Sequence, residues 1–308
     1  MGLYLGIDTS NYTTSVAVFD GERIVQKKRL LPVKEGERGL RQSDAVFHHT
    51  KAYPELVEAL FGEVGGDIAA VGASFAPTTE KGSYMPCFLV GEGFGSSLAK
   101  VLNVNFSRFS HQQGHIAAAL YSAGKTDLFN ERFLAFHVSG GTTDAVLCEP
   151  CAGSLSITPV ASSNDLKAGQ AIDRIGVKMG LKFPAGAELE KLALQSEKTY
   201  KNKIKLYNGD CSLSGVENKC VKMLDDGESN ADVAKFLLTY IADTISTMAD
   251  AALEKCGKLP LVFAGGVMSD KIIRDIITSR FEAYFAAPEY SCDNAAGIAY
   301  LTYRNNKG

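Results

Sequence analysis

Residues 3–31 read LYLGIDTSNYTTSVAVFDGERIVQKKRLL, and residues 133–160 read FLAFHVSGGTTDAVLCEPCAGSLSITPV. Each stretch opens with an apolar strand and a short turn of Ser, Gly or Asn. A Thr-Thr pair follows, then an alternating strand, a polar turn and a third strand. Such a pattern predicts a hairpin entering a three-stranded meander. Laid on each other, Asp8 meets His137, Ser10 meets Ser139, and Thr13-Thr14 meets Thr142-Thr143. One such turn is weak evidence, because hairpins resemble each other by chance. Two of them, each on the first strands of its half, point to an internal duplication. Tight turns of small residues let backbone N–H groups approach an anion, and hydroxyls add donors. Ser10 and Asn11 in the first turn, and Val138, Ser139, Gly140, Gly141 and Thr142 in the second, are therefore candidate phosphate contacts.

Outward from these turns, strands alternate with helices, which argues for an α/β protein. Helix is expected over 44–62, interrupted at Pro54, and over 88–102, 165–180, 186–197, 231–256, from about Ser269, and over 293–304. Buried strands are expected over 68–76 and 259–265, with shorter ones after Val104 and over 281–286. A duplicated meander in such a chain resembles the two-lobed actin-like fold of sugar kinases and Hsp70, with its duplicated ribonuclease-H-like subdomains. That resemblance implies an N-terminal lobe of residues 1–130 closed by the C-terminal helix 293–308, and a second lobe of 131–292.

The chain has 308 residues, 45% hydrophobic and 22% charged, enough for two cored lobes. No apolar run approaches the ~20 residues of a membrane helix. The N-terminus reads straight into a strand, so neither a signal peptide nor myristoylation at Gly2 is expected, and the location expected is cytoplasmic. Seven scattered cysteines fit reduced thiols, and Cys148 and Cys151 form a C-x-x-C without a partner motif. A net charge of −3 gives no global basic footprint for nucleic acid. RNA binding would need a local patch or a partner; Lys27, Lys28, Arg29 and the group Lys198, Lys201, Lys203, Lys205 read as solvated faces.

His111 and His115 lie in SHQQGHIAAAL, with Ser110 as a candidate N-cap. A spacing of four puts both imidazoles on one helix face, able to share a metal or simply to lie at the surface. Gln112 stands where H-E-x-x-H proteases carry their general base, which disfavours a peptidase. His137 closes the strand FLAFH, and Asp293 opens the last helix as either a cap or a ligand. Together, His111, His115, His137 and Asp293 would suit iron or zinc better than magnesium or calcium. In AGGV, Gly265 and Gly266 follow a buried strand, where a ring or phosphate can approach the backbone or where a turn simply needs glycine. Asp173, on the 165–193 segment, could bind ribose hydroxyls or pair with a neighbouring cation.

These motifs, in this order, resemble the TsaD family of tRNA N6-adenosine threonylcarbamoyltransferases across nearly the whole chain. LGIDTSNYTTSVAV and HVSGGTTD resemble its two phosphate motifs, SHQQGH its metal motif, and AGQAIDRIGVKMGLKFPAG its ribose segment. AGGVMSD resembles its adenosine motif, CSLSGVENK its FSFSGLKT segment, and CDNAAGIA the segment carrying a metal-ligating Asp. The resemblance implies ligand contacts at Asp173, Gly186, Glu190, Gly265, Gly266 and Asp270, and a metal-ligand position at His137. It implies one divalent metal (iron or zinc), ATP, AMP or threonylcarbamoyl-adenylate as ligand, tRNA as acceptor, and TsaB-like and TsaE-like partner subunits. Asp8, where the family usually has Glu, is the candidate positioning or acid–base residue. Asp270 stands for the family's Asn, Gln170 for its Glu, and PTTEKGSYMPCFLVG departs from PGLVGALLVG. Those departures keep open a paralogue transferring a carbamoyl or acyl group to another acceptor. A non-catalytic subunit, or a kinase or ATPase, could be built on the same scaffold, but neither needs the histidines.

Overall fold

The computed structural model describes residues 2–32 and 40–307. The chain divides into two compact units: residues 1–130, 150–156 and 292–308 form the first, and 131–149 and 157–291 the second.

Unit 1 is built on strands β1 (Leu3–Thr9), β2 (Thr13–Phe19), β3 (Ile24–Leu30), β4 (Ile68–Ala76) and β5 (Asn105–Ser110), ordered β3-β2-β1-β4-β5. β1 runs antiparallel to β2 and parallel to β4. Every residue of β1 and β2 is buried, because both faces of the central strands are covered. Leu3, Leu5 and Ile7 pack with Ala52, Tyr53 and Leu56 of helix α1 (Gln42–Phe61) and Ala99 of α2 (Phe88–Leu102). The alternate residues Tyr4 and Gly6 meet the C-terminal helix α9 (Ala296–Lys307). The edge strand β3 carries Lys27, Lys28 and Arg29, charges that discourage pairing with another chain. Helix α3 (His111–Ser122) leaves β5 directly and packs on α9.

Unit 2 repeats the plan. Strands β6 (Phe133–Val138), β7 (Thr143–Cys151), β8 (Ser154–Ser162), β9 (Leu261–Ala264) and β10 (Ala283–Phe285) lie in the order β10-β9-β6-β7-β8. With β6 to β10 in the places of β1 to β5, the two orders are the same. The ladder registers agree too: Asp8 faces Ser15 and Thr9 faces Thr14 in unit 1, while His137 faces Asp144 and Val138 faces Thr143 in unit 2. Phe136, Phe263 and Phe285 stand side by side on β6, β9 and β10 with stacked rings. Helices α4 (Ala168–Lys178), α5 (Gly186–Ala193), α6 (Ser214–Asp225), α7 (Asn230–Cys256) and α8 (Lys271–Thr278) complete the unit, and their apolar faces close its core.

The structure corrects two expectations from the sequence and adds one element. Pro54 does not interrupt its helix: α1 runs through it, because Ala52, Tyr53, Leu56 and Leu60 are buried on both sides of the missing N–H. The last helix starts at Ala296 rather than 293, with Asn294 Oδ1 accepting the Ala296 N–H at 3.0 Å. Asp293 is therefore not its cap. Helix α6 is a further element, in a segment whose motif masks its helical period.

The crossing of α3 and α9 is unusually close. A methyl group on Gly297 would stand 1.8 Å from the Gly114 carbonyl oxygen, which no side-chain movement relieves. Gly93, exposed on α2, has no atom near its missing side chain. Gly297→Ala should lower the melting temperature by the equivalent of about 1–3 kcal/mol or more. Gly93→Ala should leave it unchanged or raise it by up to ~1 kcal/mol. Thermal unfolding of both variants checks the pair; equal effects would contradict the close crossing.

Candidate functional site

In unit 1 the site starts from a helix end. Ser110 closes β5 and caps α3: its Oγ accepts the Gln113 N–H at 3.1 Å, and Gln113 Oε1 accepts the Ser110 N–H at 2.7 Å. This capping box, foreseen in part by Ser110, puts His111 at the first helical position and His115 one turn on. The contact at Gly114 and Gly297 then brings the start of α9, and Asp293 before it, to the two rings. His111 Nε2 and His115 Nε2 are 2.9 Å apart, and Asp293 Oδ1 lies 3.5 and 3.3 Å from them. These three ligand atoms lie within 4.8 Å of one another. Ser10 Oγ donates to Asp293 Oδ2 at 3.0 Å.

Behind His111 stands Asp8, fully buried, with Oδ1 2.9 Å from His111 Nδ1. A proton held on Nδ1 by that carboxylate leaves Nε2 as the nitrogen that would give up its proton to a metal. Asp8 Oδ2 is buried with no hydrogen-bond partner among the described residues. Burial works to lower the His111 pKa, but Asp8 and Asp293 override it and raise it to about 10. Burial opposes ionisation of Asp293, yet hydrogen bonds from His111 and His115 hold its carboxyl well below the usual range. Two imidazole nitrogens and a carboxylate aimed at one point, backed by an orphaned buried carboxylate oxygen, fit a divalent transition metal such as zinc or iron. His137, expected with these three, is the last residue but one of β6 in unit 2, facing Asp144 across the ladder.

The first turn is tied from within unit 1. Asn11 Oδ1 accepts from Gln42 Nε2 at 2.5 Å, and Gln42 Oε1 accepts the Cys87 N–H at 3.2 Å. The Asn11 side-chain oxygen is thus engaged by α1. His49, not among the candidates from the sequence, is buried with Nδ1 2.7 Å from Thr14 Oγ1. Burial pulls its pKa down to about 4, so it braces the first hairpin as a neutral ring. Its signal, a His-His pair on an amphipathic helix, is not distinguishable in sequence from surface histidines.

Unit 2 contributes a cavity of about 340 Å³. Gly140, Asp173, Gly186, Glu190, Gly266 and Asp270 line it, all of them sequence candidates. Ile172, Pro184 and Ser269 line it as well, with no signal of their own in the sequence. Ser139 and Gly265, also candidates, each precede a lining residue and hold the backbone there. Ser139 Oγ accepts the N–H groups of Gly141 and Thr142 at 3.3 and 3.1 Å, holding the second turn. Gly265, at φ +98°, is there for packing, since a methyl group on it would sit 2.2 Å from the Val138 carbonyl oxygen. Asp173 Oδ1 accepts the Ala185 N–H at 2.8 Å, and Glu190 Oε1 the Lys271 N–H at 2.9 Å. Asp270 caps α8 through Ile273 N–H at 3.0 Å, and burial, with Glu190 nearby, raises its pKa to about 6. The lining holds three carboxylates and neither Lys nor Arg. Such a wall suits hydroxyl and amine donors of a nucleoside rather than its phosphates.

The family model for tRNA N6-adenosine threonylcarbamoyltransferase, TsaD, matches residues 32–300. The matched span holds His111, His115, Asp293 and the whole lining of the unit 2 cavity, and begins after the first meander. Among solved structures, HypF in a phosphate- and nucleotide-bound form is similar at TM-score 0.58 and 14% identity, over 98% of this chain and 46% of that one. HypF of T. kodakarensis is similar at TM-score 0.63 and 12% identity, over 99% and 47%. The chain thus spans just under half the length of those proteins. A ROK-family glucokinase from Streptomyces griseus, in complex with glucose and AMPPNP, matches end to end at TM-score 0.56 and 11% identity. At such identities these likenesses establish the fold alone, the actin-like one with its duplicated halves.

The charges at both sites have measurable consequences. Because His111 holds a proton up to about pH 10 without metal, zinc binding at pH 8 should release about one proton per ion. Calorimetry in buffers of different ionisation heat reads this, and His111→Ala should abolish both uptake and release; uptake without proton release would contradict it. An acid whose pKa is raised on folding favours the fold at low pH and loses that contribution as pH rises through the folded value. Thermal stability of the wild type should therefore fall between pH 4 and 7 more steeply than that of Asp270→Asn, which keeps the helix cap. Parallel profiles would contradict the raised pKa. The family match over most of the chain, joined to the actin-like fold, makes this protein a member of the TsaD family.

Proposed function

We propose that the chain transfers a threonylcarbamoyl group from threonylcarbamoyl-AMP to N6 of adenosine 37 in tRNA. The observation that carries this reading is the convergence of His111, His115 and Asp293 with Asp8 braced behind them, in a chain whose family is a transferase family. Asp8 and Ser10 act as positioning groups: one fixes the His111 tautomer, the other one oxygen of Asp293. A divalent cation held by His111, His115 and Asp293 would supply a Lewis acid. Within unit 2, the carboxylates Asp173, Glu190 and Asp270 with Gly186 and Gly266 bind the nucleoside, and the turn at Ser139 to Thr142 supplies donors toward its phosphate. The acceptor amine forms the new N–C bond, the C–O bond to phosphate breaks, AMP leaves and the amine proton passes to solvent. Because the adenylate is already activated, orientation and charge stabilisation supply most of the acceleration. TsaB-like and TsaE-like subunits are the proposed partners. Among the described residues no helix is long and apolar enough to cross a membrane.

A second reading, carbamoyl or acyl transfer to a different acceptor, is favoured by one feature. Asp270 is a buried carboxylate where the family carries Asn, and it lines the cavity.

One assay separates the two. Full-length protein is mixed with threonylcarbamoyl-AMP, unmodified tRNA and the partner subunits, and digested nucleosides are read by mass spectrometry. The proposal expects modified adenosine, reduced at least a hundredfold in His111→Ala and in Asp293→Ala. Adenylate turnover that tRNA neither requires nor accelerates would contradict it and favour the second reading.

A further inference from the structure

Residues 200–207 read YKNKIKLY and connect α5 to α6 in unit 2. Even-numbered side chains hold this segment to the body of the unit. The Tyr200 hydroxyl donates to the Asp232 carbonyl at 3.2 Å, and its ring stands edge-on to Phe236 at 5.3 Å. The Asn202 backbone N–H and side-chain amide both donate to Asp243 Oδ2, at 3.2 and 3.0 Å. Leu206 packs against the core, and Ile204 is half-buried. Odd-numbered side chains do the opposite. Lys201, Lys203, Lys205 and Tyr207 are all exposed, the tyrosine at 76%.

Strict alternation of this kind belongs to an extended chain, in which every second residue advances about 6.6–6.8 Å. The three ammonium groups thus stand in a row, close to the reach between successive phosphates of one nucleic-acid strand. Lys198, just before them, is neutralised by Glu228 and Asp232. Lys201, Lys203 and Lys205 have no carboxylate partner among the described residues. A net charge of −3 means that any polyanion must be met by a local feature of this kind. The anchors on the back of the segment fix the backbone beforehand, so ordering it costs little on binding.

We propose that Lys201, Lys203 and Lys205 form a comb that grips successive phosphates along one strand of an RNA, with Tyr207 offering a ring for base stacking at its end. The row of charges sets the backbone track, and an exposed aromatic beside such a track is how proteins hold single strands without reading sequence. An acidic protein would not need the ring, and a bilayer surface would call for a patch rather than a line. This inference deepens the proposed function, because it assigns to this chain a contact for the tRNA acceptor, and it rests on that reading for the identity of the RNA.

The test is fluorescence anisotropy of labelled unmodified tRNA, and of a labelled single-stranded RNA oligomer, with the full chain from 50 to 300 mM KCl. The comb predicts that Lys201→Gln, Lys203→Gln and Lys205→Gln combined lower the slope of log K against log salt by about 2, roughly 0.7 per lost phosphate contact. The corresponding triple Lys→Arg variant should keep the wild-type slope. Tyr207→Ala should weaken oligomer binding roughly fivefold or more with the slope unchanged. Equal affinity and slope in wild type and the Gln variant would overturn the comb, as would absence of RNA binding by the wild type. Tighter binding to vesicles of anionic lipid or to polyglutamate, lost in the same variant, would overturn it in favour of those partners. The nucleoside assay reads the proposed activity separately. Modified adenosine with an unchanged slope removes the comb and keeps the activity; a lost slope without modified adenosine does the reverse.

Discussion

The backbones of α3 and α9 touch at Gly114 and Gly297, and the candidate metal centre depends on that contact. His111 and His115 come from one helix, Asp293 from the turn before the other, and the two are far apart in sequence. The close crossing brings their imidazole and carboxylate atoms within ligand distance of each other. The Ser110 capping box fixes where α3 begins, and Asn294 fixes where α9 begins. With both ends pinned and the crossing set by two glycines, small rotations of either helix are resisted by backbone rather than by flexible side chains. The same helix α9 covers the sheet at Gly6, so the site is tied to the core of unit 1.

Charge explains the next layer. Asp8 and Asp293 are carboxylates taken largely out of water, and burying them unpaired would be strongly unfavourable. They are compatible with the fold because His111 stands between them and is held protonated well above its ordinary range. A divalent cation would take over that neutralising role, and the orphaned Asp8 Oδ2 shows that one imidazolium does not satisfy all the acceptors. Unit 2 meets its own problem differently. Asp173, Glu190 and Asp270 each accept a backbone N–H while presenting a face to the cavity. Helix ends and turns thus fix the carboxylates that a nucleoside would meet.

Much of this is legible in the sequence, for physical reasons that can be named. The duplicated meander is visible because strand–turn–Thr-Thr–strand is a local pattern, and the structure reproduces its register from Asp8 and His137 onward. The two histidines are visible because a spacing of four on a helix is local as well. What escapes is what tertiary contact decides. Pro54 lies inside α1 because the flanking apolar face is buried. Asn294 rather than Asp293 caps the last helix, a difference of one residue that frees the carboxylate. The bond from Asn11 to Gln42 and the burial of His49 join residues too distant for any pattern to pair. The lysines at 201, 203 and 205 read as a solvated face until the anchoring of Tyr200 and Asn202 gives them a common direction.

The central claim is that His111, His115 and Asp293 together hold a divalent transition metal. X-ray absorption at the zinc and iron edges, on protein purified without chelators, tests it most directly. The account predicts a first shell of nitrogen and oxygen with the outer-shell scattering of two imidazole rings, reduced to that of one ring or lost altogether in His115→Ala. A shell of oxygen alone, or one containing sulfur from the cysteines, would contradict it.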